Sequence, residues 1–352
     1  MQRRIVNKES FSAGKKQGGN DDDIYVGKDF AAVIDGVSHK SSILVDGKTI
    51  KIAQIITEAI RKIDRPGAPV YAKTLSFEEW VKFINLYIKE YLQRYGVGEA
   101  AGKLEATGAI YSRFHNQIWL VGDCKAIYDG KVVQNPLKID EAVIDIRRNL
   151  IEGLLQEGYT TEQLMQNDIS KNIIKHPNLL SRYIKDSKLR AQLEEYRIQR
   201  IKKALLEGGF TETEIEEQGL IQKYYNPREL QKVAKNNPNI GDLGYAIFNG
   251  QNTETKNCKV VTLPNDVRTI KLFSDGFPVE ALNNNKGIGY AVRTIRRRAK
   301  ADPLSIKTNP ATRVAVRYSK SPNRVEENAI DDASAVIIEI VRDEKETGER
   351  GE

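Results

Sequence analysis

Two kinds of hydrophobic spacing divide this chain. Near the start, Ile24 and Val26 alternate with polar neighbours, and Phe30-Ala31-Ala32-Val33-Ile34 is a continuous apolar run. Alternation and short apolar runs signal strands, and Gly27-Lys28-Asp29 between them reads as a hairpin turn. Thr269-Ile270-Lys271-Leu272-Phe273 and Ala333 to Val341 read as further strands. In residues 137–239 the spacing becomes helical. Val143, Ile146, Leu150 and Leu154 recur on one face, and Leu189, Leu193, Tyr196 and Leu205 repeat the pattern. Gly158 and Gly208-Gly209 read as helix stops. Thr160 with Gln163, and Thr211 with Glu214, read as capping boxes that open the next helices. The junctions Leu154 to Thr160 and Leu205 to Thr211 resemble each other about 51 residues apart, and His176-Pro177 and Asn226-Pro227 follow at similar distances. A duplicated helical unit would explain this, and so would plain reuse of the same stop-and-start chemistry.

The candidate chemistry lies in acids at strand ends. The motifs are Asn20-Asp21-Asp22-Asp23, Asp35-Gly36, Gly122-Asp123, Ser274-Asp275-Gly276 and Asp331-Asp332. Folding at the turn after Val26 brings Asp22 and Asp35 to one end of a hairpin whose strands lie about 4.8 Å apart. An acid closes the strand ending at Phe273 and another opens the strand at Ala333, so antiparallel pairing would bring Asp275 and Asp331 together too. Taken singly, each motif is more often a turn, a cap or a solvated loop. As an ordered set they describe a carboxylate cage for hard metal ions, which favour oxygen ligands.

This order resembles the metal-dependent serine/threonine protein phosphatases, the PPM or type 2C family. That pattern runs N-E-D, D-G after an apolar strand, G-D-S-R, S-D-G, and D-N or D-D before a small residue and Ser or Thr. The resemblance spans roughly residues 8–135 and 240–342. It implies an α+β fold, a four-layer αββα sandwich of two antiparallel sheets with helices on both outer faces, carrying an inserted all-α module. The implied division is a discontinuous phosphatase domain over 1–136 and 240–343, a helical insertion over 137–239 and a flexible tail over 344–352. It implies that Asp35 bridges two Mg²⁺ or Mn²⁺ ions with the Gly36 carbonyl as a further ligand. Asp275 and Asp331 would bind one of these ions, Asp22 would hold a water beside them, and Asp123 with Asp275 would form a third metal site. Hydrolysis of phosphoserine or phosphothreonine by a metal-activated bridging water would follow, with no protein nucleophile.

The chain departs from the family at three places. The usual phosphate-binding Arg is Gln17, so Lys16 is the candidate for the substrate phosphate, as a point charge without the bidentate fork. Val37-Ser38-His39 replaces a glycine-rich loop, where His39 is close enough to Asp35 to be a proton donor or an ordinary loop residue. Cys124-Lys125 replaces Ser-Arg. The metal acids are intact, which favours an active enzyme over a pseudophosphatase that binds partners through the helical insertion.

Composition narrows the class. The 352 residues are 40% hydrophobic and 29% charged, as in globular proteins, and no apolar run approaches the length of a membrane span. Met1-Gln2-Arg3-Arg4 has no apolar stretch behind it, so no secretory leader is expected. Cys124 and Cys258 give no disulfide framework or zinc pattern, and a cytoplasmic setting is expected. Cys124 reads as a small buried residue rather than a redox-sensitive one. The net charge of +7 is concentrated between Lys286 and Arg324, with eleven Lys or Arg against the single acid Asp302. That stretch reads as a solvated basic helix face or as steering for phosphorylated protein, ahead of nucleic acid. The expected partners are a phosphoprotein substrate and a protein bound at the insertion, with no membrane.

Overall fold

The strands form where the apolar runs are. A computed structural model describes residues 3–13, 20–37, 41–69, 73–135, 138–166, 169–237, 240, 243–275, 288, 290 and 333–342. Strands β1 (Arg3–Ala13), β2 (Asp23–Val26) and β3 (Phe30–Gly36) open the chain. A small hairpin, β4 (Ser42–Val45) and β5 (Lys48–Lys51), leads into α1 (Ile52–Asp64) and then α2 (Phe77–Arg94). Strands β6 (Ala106–Ser112), β7 (Gln117–Val121), β8 (Lys125–Tyr128) and β9 (Lys131–Gln134) follow. After a run of helices come β10 (Lys259–Thr262), β11 (Thr269–Phe273) and β12 (Ala333–Arg342).

These strands build two five-stranded sheets, ordered β10-β7-β6-β3-β2 and β1-β12-β11-β8-β9, with antiparallel neighbours throughout the described strands. Their inner faces pack together. Ala31, Val33, Ala109 and Tyr111 of the first sheet share a buried cluster with Ile270, Leu272, Val336 and Ile338 of the second. The alternate residues Phe30, Ala32 and Ile34 point the other way, into a cluster with Ile56, Ile60, Trp80 and Ile84 of α1 and α2. A strand that is apolar on both faces is what a layer covered on both sides requires. The outer face of the second sheet is also buried, at Lys271 and Ile337. There the Ile288 amide donates to Glu9 at 2.9 Å. The fold is thus α+β, with two antiparallel sheets face to face.

The N-terminal hairpin is pinned at its closed end. The Asp64 carboxylate accepts from the Asp29 amide at 2.8 Å and from the Tyr25 hydroxyl at 3.0 Å. Asp29 is buried and takes Lys73 at 2.7 Å and Arg113 Nε at 2.7 Å. Burial pushes the Asp29 carboxyl up, but the hydrogen bonds from Lys73 and Arg113 outweigh it and leave it below the usual carboxylate range. This network fixes the register, with Asp23 opposite Ile34. Asp22 therefore arrives beside Asp35 at the open end.

Between β9 and β10 lie α3 (Lys138–Gln156), α4 (Thr161–Gln166), α5 (Ile169–Lys175), α6 (Leu180–Tyr183), α7 (Ser187–Glu207), α8 (Glu212–Glu217), α9 (Leu220–Lys223) and α10 (Pro227–Ala234). They share a hydrophobic cluster of their own. Both expected capping boxes form: Thr160 N to Gln163 at 2.8 Å and back at 3.2 Å, and Thr211 N to Glu214 at 2.7 Å and back at 3.2 Å. Both helix ends close alike, with Tyr159 N on Leu154 O at 3.0 Å and Phe210 N on Leu205 O at 3.1 Å. At a spacing of 51 the pairs Leu150 and Ile201, Leu154 and Leu205, Leu164 and Ile215, and Ile169 and Leu220 are all buried. The two halves of the segment thus share caps and matched burial at this spacing.

One expected core position is corrected. Tyr196 is only half-buried, and Arg197 takes the inward place with 1% exposure, between Leu193 and Ile201 at four-residue steps. Its stem packs as an apolar chain, and its guanidinium lies 5.2 Å from the Tyr225 ring centre.

Candidate metal centre

The register of β3 with β6 sets the first part of the site. Asp35 stands opposite Thr107, on the same side of β3 as the inward-facing Ala31 and Val33. The Thr107 hydroxyl donates to Asp123 Oδ1 at 2.7 Å and lies 3.5 Å from Cys124 Sγ. Donor atoms of Asp35, Asp123 and Cys124 all fall within 4.8 Å of one another. Gly122 turns the chain after β7 with φ +79°, and a Cβ there would sit 2.2 Å from Thr107 Cγ2. Only glycine meets both demands. The Asn135 amide then donates to Gly122 O at 2.6 Å, holding the entry to α3 beside this turn.

The N-terminal motif closes over the same end. Asp22, 6% exposed, directly precedes β2, with its amide on Asn20 Oδ1 at 3.0 Å. Gly36 is pressed against this segment: a Cβ there would lie 2.6 Å from the Asp21 carbonyl and 2.8 Å from Ser41 Cβ. Lys51 donates to Asn20 O at 2.7 Å and lies 3.7 Å from Asp21 Oδ1, holding the motif in place.

A polar chain ties in the C-terminal motifs. Asn20 Nδ2 donates to Ser334 Oγ at 2.9 Å and to Ser12 Oγ at 2.6 Å. Ser274 and Ser334 exchange backbone and side-chain bonds, N to O at 2.9 Å and Ser334 N to Ser274 Oγ at 2.9 Å. β11 and β12 pair antiparallel with Phe273 opposite Ala335, so Asp275 leaves its strand where β12 begins. Asp331, Gly276, Lys16, Gln17, His39 and nearly all of Lys286 to Arg324 lie outside the described residues.

The electrostatics agree with a place for cations. Burial raises the Asp123 carboxyl, and Asp140 in the first turn of α3 raises it further against the Thr107 bond. Tyr245 is likewise pushed up, first by burial and then by Asp140, Asp123, Glu105 and Asp275 in turn. Carboxylates gathered in a poorly solvated place repel one another unless protons or cations intervene. The oxygen donors fit a hard divalent ion such as Mg²⁺ or Mn²⁺. Cys124 does not fit that role. It is fully buried just before β8, and burial followed by Asp35 and Asp123 drives its thiol up.

Several residues here had no sequence signal. Thr107 is an ordinary strand threonine until register sets it between Asp35 and Asp123. Asp140 and Tyr245 belong to distant segments. Lys235, just after α10, pairs with the buried Glu105 and lies 5.9 Å from the Tyr245 ring. Gln231 of α10 donates to Asp140. The helical region thus contacts the acid end directly.

No family model matches the chain, and no curated protein does. Among solved structures it is similar to the catalytic domain of the serine threonine protein phosphatase PstP in complex with two manganese ions, at 14% identity, 97% of this chain, 100% of that chain and TM-score 0.42. It is similar to the serine/threonine phosphatase Stp1 from Staphylococcus aureus, at 11% identity, 97% of this chain, 96% of that chain and TM-score 0.42. A third is PppA of Pseudomonas aeruginosa, a key regulatory component of T6SS, at 10% identity, 97% and 99% coverage and TM-score 0.39. With TM-scores below 0.5, these likenesses leave the chemistry to the residues themselves.

Proposed function

We propose that the protein is a metal-dependent phosphatase acting on phosphoserine and phosphothreonine in proteins. The observation that supports it is Asp35 beside Asp123 at one end of a two-sheet sandwich, the end to which strand register also brings the segments of Asp22 and Asp275. Asp35, Gly36 O, Asp275 and Asp331 would hold two Mg²⁺ or Mn²⁺ ions, and Asp123 with Asp275 a third. Bound ions would acidify a water and offset charge on the phosphoryl oxygens. Asp22 would accept a hydrogen bond from that water and fix its direction. Lys16 would bind the substrate phosphate. The helical segment over 137–239, set in a phosphatase domain of residues 1–136 and 240–343, would recruit a partner or gate the site. The resemblance extends the reading to a bacterial signalling pathway in the cytoplasm. No helix among the described residues is long and apolar enough to cross a membrane.

The test is hydrolysis of p-nitrophenyl phosphate with Mn²⁺, Mg²⁺ or EDTA, for wild type, Asp35→Ala and Asp275→Ala. Turnover that needs metal and is lost in both variants supports the reading. A second reading, a pseudophosphatase scaffold, is favoured by Gln17 where the family has Arg. Folded wild type that binds Mn²⁺ weakly and turns over nothing would support it.

A further inference from the structure

The space between the two sheets turns polar at the acid end. Ile270 and Leu272 of β11, and Val336 and Ile338 of β12, belong to the buried cluster that the sheets share. Side chains alternate along a strand, so the next inward positions toward the acid end are Ser274 and Ser334, and both are fully buried. Ser334 stands opposite Ser12 of β1, with their hydroxyl oxygens 3.3 Å apart. Neighbouring strands of the second sheet thus offer two oxygens side by side.

Asn20 takes both. Its Nδ2 donates to Ser334 Oγ at 2.9 Å and to Ser12 Oγ at 2.6 Å. The other end of the same planar amide, Oδ1, accepts from the Asp22 amide at 3.0 Å, an Asx turn that leads the chain into β2 of the first sheet. Lys51 Nζ donates to the Asn20 carbonyl at 2.7 Å and holds the residue from a third side. Beyond Ser334, its carbonyl accepts from Ser274 N at 2.9 Å, and its own N donates to Ser274 Oγ at 2.9 Å. A continuous path therefore runs from Asp22 through Asn20, Ser334 and Ser274 to Asp275, and it crosses from one sheet to the other. Apolar packing between the sheets is non-directional and tolerates a small slide of one on the other. Hydrogen bonds to a rigid amide weaken steeply with distance and angle, and resist it.

Resting on the metal-dependent reading above, we propose that Asn20 and Ser334 are positioning residues. Together they latch the Asp22 segment of the first sheet to the Asp275 segment of the second, and so set the spacing of acids across the metal centre. They act through the carboxylates, as outer partners of metal-binding groups do.

The experiment is a Mn²⁺ titration by isothermal calorimetry on the full chain, with p-nitrophenyl phosphate turnover measured alongside. The variants are Asn20→Ala, Ser334→Ala, the double, Ser334→Thr and Ser76→Ala. Ser76 caps α2 through Glu79, and Leu75 before it bonds His115 at the end of β6 away from Thr107, so its loss lowers stability far from the acids. Expected is about tenfold weaker Mn²⁺ binding in each of Asn20→Ala and Ser334→Ala. The double should still lose about tenfold, rather than about a hundredfold, because either change opens the same latch. Ser334→Thr keeps the hydroxyl and should bind Mn²⁺ as wild type does. Ser76→Ala should melt lower with Mn²⁺ affinity unchanged. Wild-type affinity in both single variants, or losses that multiply in the double, would overturn the latch. So would an equal loss of affinity in Ser76→Ala, since lowered stability alone would then weaken the ion. Wild type that binds Mn²⁺ but turns over nothing would sink the phosphatase reading, and the affinity pattern would still decide the latch. Folded wild type that binds no Mn²⁺ would overturn both.

Discussion

Single side chains at the acid end have narrow tolerances. A Cβ at Gly36 would meet the Asp21 carbonyl at 2.6 Å, and backbone cannot step aside as a side-chain tip can. Gly36→Ala should cost roughly 1–3 kcal/mol of stability by overpacking and weaken Mn²⁺ binding, read from melting temperature with and without the ion. Asp29 gives a pH prediction. Its folded pKa lies below the unfolded value of about 3.9, so its stabilisation is present above that pH and is lost as pH falls through the folded pKa. Denaturant midpoints from pH 7 to pH 2 should fall less steeply at the acid end for Asp29→Asn than for wild type. Removing the group outright, Asp29→Ala, leaves Arg113 and Lys73 without their shared buried carboxylate. That should cost about 3 kcal/mol at neutral pH.

Strands and helices differ in how plainly they were written. The hairpin from Asp23 to Gly36 was legible because its apolar run is long and its turn residues are specific. The antiparallel pairing of β11 with β12 was anticipated from a different signal, an acid closing one strand and an acid opening the other. The β4–β5 hairpin carries Asp46-Gly47 at its tip, with φ +48° and +75°, a signal that only flanking strands turn into a hairpin. The helix caps were readable because they are local. Thr160→Ala and Thr211→Ala should each lower stability by about 1 kcal/mol, and nearly additively, in chemical denaturation. Arg197 was not readable. A charged residue enters an apolar stripe only when its stem is packed and its head finds an aromatic ring, and that depends on Tyr225 being brought near.

Contacts between the helical segment and the sandwich carry the larger-scale expectation. Half-buried Lys235 pairs with the buried Glu105 at the seam, and Gln231 donates to Asp140, whose charge acts on Asp123. A double-mutant cycle with Glu105→Gln and Lys235→Met should give a coupling above 0.5 kcal/mol in stability. Independent effects would mean that the helical segment and the sandwich do not act through this pair. Deleting residues 137–239 would remove Asp140, Gln231 and Lys235 together. Activity and partner binding unchanged by that deletion would count against any gating or recruiting role.

The sequence alone determined the first hairpin, the strands before Ser274 and after Asp332, the helical character and caps of 137–239, and the inventory of acids, because periodicity, caps and turn residues act over a few neighbours. It placed Asp22 with Asp35 because a single turn and a fixed strand spacing settle that pair. Tertiary structure decided everything that depends on long-range register. Thr107 stands between Asp35 and Asp123 only because β6 pairs β3 in one frame, and a one-residue slip would turn it away. Asp140, Tyr245 and Lys235 reach the acid end only because helices far along the chain pack back on it. No local pattern specifies such contacts, since their free energy comes from burial shared between segments rather than from either one.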